Sequence, residues 1–203
     1  MRIVPAQELE NWVSNGRVLE KDRRGPKVIA LDNQLFLKIF YTRRHSVLAR
    51  LQPAARRFQR NTIRLRQLGI PSPEVREVFW LEPALGLSGC LYTPLPGESI
   101  ENLNTRSPYE TRALLPALAA FIRTLHSRGI YFRSLHLGNI LYIGDNTFGL
   151  IDVLDMQFKR RPLSNWLVRR NLAHLTQHLH RHGVSGFPLD IFLDCYSKAE
   201  GRV

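Results

Sequence analysis

Two oxygen-bearing side chains, Asn139 and Asp152, flank a stretch that reads as a β-hairpin. Ile140–Ile143 is a predicted strand, Gly144-Asp145-Asn146 a turn, and Phe148–Ile151 a second strand. A hairpin with an Asn at its mouth and an Asp at its exit sets two oxygen ligands side by side. Mg²⁺ is a hard cation that takes such ligands and shares them with substrate phosphates. Just upstream, Phe132-Arg133-Ser134-Leu135-His136-Leu137-Gly138 carries a cation, a hydroxyl and an imidazole within four residues. The Ser134 hydroxyl is no useful base near neutral pH; His136 and Asp155 are the conceivable proton acceptors, with His136 also placed to contact phosphate and Asp155 to serve as a structural carboxylate. Far upstream, Lys38 interrupts the apolar run Leu35–Phe40. An ammonium there is costly unless an anion meets it. A metal pair, a lysine that wants an anion and an arginine-bearing loop are the parts of phosphate chemistry.

The elements that must position these residues can be read in order. Ala6–Ser14 is a predicted lead-in helix. Arg17–Lys21, Lys27–Leu31 and Gln34–Phe40 are strands separated by Asp22–Pro26 and Asp32-Asn33, which predicts an antiparallel meander. Ser46–Leu68 is predicted helical and strongly basic, with Arg50, Arg56, Arg57, Arg60, Arg64 and Arg66 and no acidic residue. Glu74–Leu81 and Gly89–Thr93 add two strands, making five. A proline-rich link, Pro94–Glu98, leads to a helix opened by Ser107, Pro108 and Glu110 and closed near Arg128. Helices over Asn165–His180 and Asp190–Ala199 follow the hairpin. His174, His178 and His182 fall at helical spacing, but with no neighbouring carboxylate or thiolate they read as a polar helix face.

Composition narrows the function classes. The chain has 203 residues, enough for one domain or two small lobes. Cys90 and Cys195 form no metal or disulfide framework, and a reducing compartment is the default. The N-terminus lacks the pattern of a secretory signal, and no run approaches the roughly 20 apolar residues of a membrane span. The expected location is therefore cytoplasmic, with a peripheral contact at a membrane allowed. The net charge of +12 calls for an anionic partner. Nucleic acid is the disfavoured one, because no aromatic–basic or zinc motif accompanies the charge.

The loop and hairpin resemble the catalytic loop H-R-D-L-x-x-x-N and the metal-binding Asp of protein-kinase-like phosphotransferases. Arg133, Leu135 and Asn139 match; Ser134 stands where that family has its catalytic Asp. The stretches LHLGNIL, GLID, FKRRPLS and RRNLAHL further resemble the bacterial lipopolysaccharide core sugar kinases and their toluene-tolerance, InaA-like relatives. The resemblance implies an α+β, two-lobed protein-kinase-like fold. It has a five-stranded antiparallel N-terminal lobe with one helix (residues 1–93), a hinge at 94–98 and a short, mainly helical C-terminal lobe (99–203). It implies ATP and Mg²⁺ as cofactors, with Asn139 and Asp152 on the metal and Lys38 on the phosphates. Tyr92 and Thr93 would lie at the hinge, where backbone groups meet the adenine. The acceptor would be the hydroxyl of a sugar or an anionic glycolipid at the inner membrane's cytoplasmic face. Two departures weaken catalysis: Ser134 cannot orient and deprotonate an acceptor as Asp does, and the basic helix offers no Glu to Lys38. A pseudokinase, a nucleotide-binding or scaffold module of the cell envelope, is the alternative. The turn before Lys27 carries only Gly25, not a glycine-rich phosphate loop.

Overall fold

Arg17–Asp22 (β1), Gly25–Ala30 (β2) and Phe36–Phe40 (β3) form the antiparallel meander that their turn residues predict. Glu74–Glu82 (β4) and Leu87–Thr93 (β5) complete a five-stranded antiparallel sheet in the order β1-β2-β3-β5-β4. The computed structural model describes residues 1–32, 34–41, 50–181, 184 and 186–199. The start of the predicted helix Ser46–Leu68, Asn33 and His182 lie outside the described residues. The chain divides into two units, Met1–Leu95 and Pro96–Val203.

In the first unit, alternate side chains of β3 face opposite sides of the sheet. Leu37 and Ile39 join Val4, Ile29 and Phe79 in a core, against which Trp12 and Val13 of α1 (Ala6–Asn15) pack. On the other side Phe40 and Tyr92 meet Phe58 of α2 (Ala54–Gln67), with ring centroids 5.5 and 6.0 Å apart. Both faces of β3 are covered. That is why the strand reads as a continuous apolar run and not as strict alternation. Cys90, which is buried, and Cys195 are both free thiols.

The second unit opens with Glu98–Ser99 (β6), α3 (Ile100–Arg106) and α4 (Pro108–Ser127). Ser99 caps α3 by accepting from the Asn102 amide at 3.1 Å, and Ser107 caps α4 by accepting from the Glu110 amide at 3.4 Å. Then come β7 (Ile130–Phe132), a 3-10 turn at Leu137–Asn139, β8 (Ile140–Gly144) and β9 (Thr147–Leu150). A second 3-10 turn at Val153–Asp155, β10 (Met156–Phe158), α5 (Asn165–Arg181) and α6 (Leu189–Lys198) complete the chain. β6, β8 and β9 form one small sheet, and β7 pairs with β10. The fold is α+β, with a small sheet-bearing first unit and a mainly helical second unit.

A buried hydrogen-bond chain joins three helices of this unit to β7. Asn171 of α5 donates its amide to the Phe132 carbonyl at 2.6 Å, which turns its oxygen towards His126 Nε2, 3.1 Å away. Nε2 must then carry the proton, leaving Nδ1 to accept from the Tyr196 hydroxyl of α6 at 2.6 Å. Burial pushes the His126 imidazole down to about 4; the Asn171 hydrogen bond opposes this, and the Arg123 charge adds to it. Unfolded histidine titrates near 6.5. Below that value the unfolded chain takes up a proton that the folded chain refuses. Stability is therefore full above about 6.5 and falls as the pH drops towards about 4. The loss amounts to about 3 kcal/mol. Melting curves across this window should show that decline, and His126→Gln should be less stable at neutral pH with a shallower slope. An unchanged slope would show that another group causes the acid sensitivity.

Candidate active site

The β8–β9 hairpin positions the proposed metal pair by its register. Ile140 pairs with Leu150, and the Ile151 amide donates to the Asn139 carbonyl at 3.0 Å. Asp152 is the next residue, so both oxygen-bearing side chains belong to the same open end of the hairpin. Asp152 is exposed and left-handed, with φ 52° and ψ 43°. Asp tolerates that region better than most residues, but it still carries strain, which often accompanies function. Asn139 is buried and donates its amide to the Ser134 carbonyl at 3.0 Å. Its remaining amide oxygen is the end a hard cation would take. The donor set therefore fits Mg²⁺ in type.

Arg133, Ser134 and His136 come together around a pocket of about 160 Å³ whose other walls include His174, His178 and Arg181 of α5. The pocket is electropositive. Burial, followed by the charges of Arg170, Arg133 and Arg181, holds the His174 imidazole below its ordinary range. His174 Nε2 also lies 3.3 Å from the Tyr131 hydroxyl. His178 corrects the sequence reading of a polar helix face without a carboxylate. Its Nε2 is 3.4 Å from Oε2 of Glu101 on α3, and its ring stacks on His136 at 4.0 Å between centroids. No local pattern could announce Glu101, which belongs to a helix that had no sequence signal and is 77 residues away.

Lys38, Tyr92 and Thr93 belong to the first unit, on the paired strands β3 and β5. Lys38 Nζ lies 5.8 Å from the centre of the Phe58 ring, so α2 sets an aromatic face beside it. Tyr92 is buried against Phe36 and Phe58, and Thr93 Oγ1 accepts from Arg76 Nε at 3.0 Å. Any contact of Tyr92 with an adenine would therefore be through its backbone. The basic turn between β1 and β2 is occupied locally. Arg24 pairs with Asp22 at 3.1 Å, and Lys27 with Glu20 at 3.0 Å.

A family model described as the phosphotransferase enzyme family, APH, matches residues 27–134, more than half of the 203-residue chain. The chain belongs to that family. The matched stretch runs from β2 to Ser134, where the expected Asp is replaced. Among solved structures, the chain is similar to the bifunctional kinase-methyltransferase WbdD, with a TM-score of 0.49 and 15% identity. The similarity covers 84% of this chain and 41% of that one, so the chain spans less than half of WbdD's length. No curated protein matches the chain.

The pocket's charge has a direct consequence. Inorganic phosphate at tenfold its dissociation constant should raise folding stability by about 1.4 kcal/mol. Chloride at equal ionic strength should not. Thermal melts of the Arg133→Ala/Arg181→Ala double variant should lose most of that shift. A full shift retained in the variant would place the anion elsewhere.

Proposed function

We propose that the protein is an ATP-dependent phosphotransferase acting on the hydroxyl of a sugar or glycolipid. In this reading the bond from the γ-phosphorus to the β–γ bridging oxygen breaks, an acceptor oxygen takes its place, ADP leaves and the acceptor proton is released. The observation that carries the reading is the hairpin register that holds Asn139 and Asp152 at one open end. Family membership supports phosphoryl transfer as the reaction class. Asn139 and Asp152 would hold the metal, which supplies charge neutralisation at the phosphates. Lys38 is the phosphate contact offered by the first unit. Arg133 and the electropositive pocket suit an acceptor that itself carries phosphate. The exposed Arg56, Arg60 and Arg64 of α2 suit the anionic face of a membrane, which would place the protein peripherally at the inner membrane's cytoplasmic side. Among the described residues no helix is long and apolar enough to cross a membrane.

Ser134 gives the second reading its basis. A positioned base is worth about 10²–10⁴-fold, and serine cannot provide it. Phosphoryl transfer has a loose transition state that depends mostly on metal and positioning, so turnover would be slow, not abolished. A pseudokinase that binds nucleotide without turnover is the alternative. Melting the protein with ATP, with and without Mg²⁺, separates these cases. A Mg²⁺-dependent rise that Asp152→Ala removes is expected, and Ser134→Asp should speed transfer to a glycolipid acceptor by about 10²–10⁴-fold. If nucleotide and Mg²⁺ leave the melting temperature unchanged, both nucleotide-dependent readings fail. If binding occurs but Ser134→Asp remains inert, the pseudokinase stands.

A further inference from the structure

Three side chains from three separate elements converge within the second unit. Glu101 comes from α3, His136 from the loop before the 3-10 turn, and His178 from α5. All three are half-buried, and one ligand atom from each lies within 4.8 Å of the others. We propose that Glu101, His136 and His178 bind one divalent cation of borderline softness, of which zinc is the type.

Zinc ligated by imidazole nitrogen and carboxylate oxygen has bonds of about 2.0–2.2 Å, which in a tetrahedron sets neighbouring ligand atoms about 3.4 Å apart. The Glu101 Oε2 to His178 Nε2 distance is 3.4 Å. The His136 ring lies parallel to that of His178, within 12°, at 4.0 Å. Because the stacked rings hold their in-plane lone pairs in parallel planes, one imidazole must rotate about its side-chain bonds for both nitrogens to meet a single ion, and the three ligand atoms start within 4.8 Å of one another. Two imidazoles and a carboxylate are the donors of three-ligand zinc sites that keep a fourth position open. Here His136 and His178 also line the pocket, so the fourth ligand would come from that side. Imidazole donors disfavour Mg²⁺, which separates this site from the Asn139–Asp152 pair. Arg133 and Arg181 are exposed walls of the same pocket. Their charges weaken a cation's hold, but they favour an anionic oxygen as its fourth ligand. With His136 on the metal, its lone pair is no longer available for proton transfer.

Gly138 supports the site independently. A Cβ at this position would lie 2.8 Å from Glu101 Oε2 and 3.2 Å from His136 Nδ1. Gly138 is not among the glycines with positive φ, so the backbone does not demand glycine there. What the missing side chain permits is the approach of the carboxylate to the imidazole.

The test uses the full chain, stripped with a chelator and titrated with Zn²⁺ alone in the absence of nucleotide. The expected result is one zinc per chain that excess Mg²⁺ does not displace. Affinity should fall at least about tenfold in His178→Ala, Glu101→Gln and Gly138→Ala, and stay unchanged in His180→Ala, which alters an exposed histidine of the same helix. Co²⁺ in the unaltered protein should give the visible bands of a four-coordinate nitrogen–oxygen site, a readout that needs no variant to fold. Lack of zinc binding, equal binding by the variants, or an octahedral cobalt spectrum would each overturn the proposal. Because no nucleotide is present, failure here leaves the phosphotransferase reading standing, and the reverse also holds.

Discussion

The geometry of the second unit depends on a buried chain of polar groups that must all be satisfied at once. Tyr196, His126, Asn171 and the Phe132 carbonyl form it, and His126 and Asn171 are only 3% and 1% exposed. An unpaired member would forfeit about 1–3 kcal/mol in desolvation, so the chain permits few arrangements. It fixes α4, α5 and α6 relative to β7. The residue after β7 is Arg133, so the position of the Arg133–His136 loop follows from this chain. His126 acts in it as a neutral, doubly bonded ring, a structural role that removes it from proton chemistry near neutral pH.

The same fixing of α5 explains why its histidines differ although their spacing is regular. Asn171 and Leu175 are buried, and that orients the helix so that His174 and His178 turn to the loop while His180 remains exposed. His174 meets Tyr131 and a field of arginines; His178 meets Glu101 and His136. A periodicity in sequence gave the helix but not the partners. A polar residue's role depends on what another element brings within about 3.5 Å of it, and that element here is seven residues of α3.

Most of the fold was legible because its signals are local. The meander follows from turn residues, α4 from Ser107 and Pro108, and the β8–β9 hairpin from Gly144-Asp145-Asn146, where Asp145 and Asn146 take positive φ as a tight hairpin turn requires. The grouping of Arg133, Ser134 and His136 was legible too, since chain adjacency ensures it. β6, α3 and the β7–β10 pair were not. Each is short, and each owes its form to a distant partner: β6 to β8, and β7 to β10. The tie from Asn139 to Ser134 was hidden for a different reason. A side chain that caps a loop carbonyl has no periodic signature.

The departure on α2 has a physical logic of its own. A carboxylate under Lys38 would couple the position of the helix to that of the ammonium through an ion pair. The ring of Phe58 offers a broader and weaker attraction, about 0.5–1 kcal/mol in an accessible setting, with little demand on geometry. Ala55, Phe58, Thr62 and Leu65 bury one face of α2 at helical spacing, while Arg56, Arg60 and Arg64 lie exposed at intervals of four. With no acid among the described residues of the helix, nothing on α2 neutralises that row internally. Like charges four residues apart cost each other a few tenths of a kcal/mol. Arg64 and Arg66 recover part of this at the C-terminal end, where the helix dipole favours cations. The inner face holds the helix to the sheet mainly by packing, with the Ala55 amide donating to Ser88 Oγ of β5 at 3.3 Å. The outer face is thereby left to carry charge of one sign, and the internal repulsion it bears is what an anionic surface would relieve.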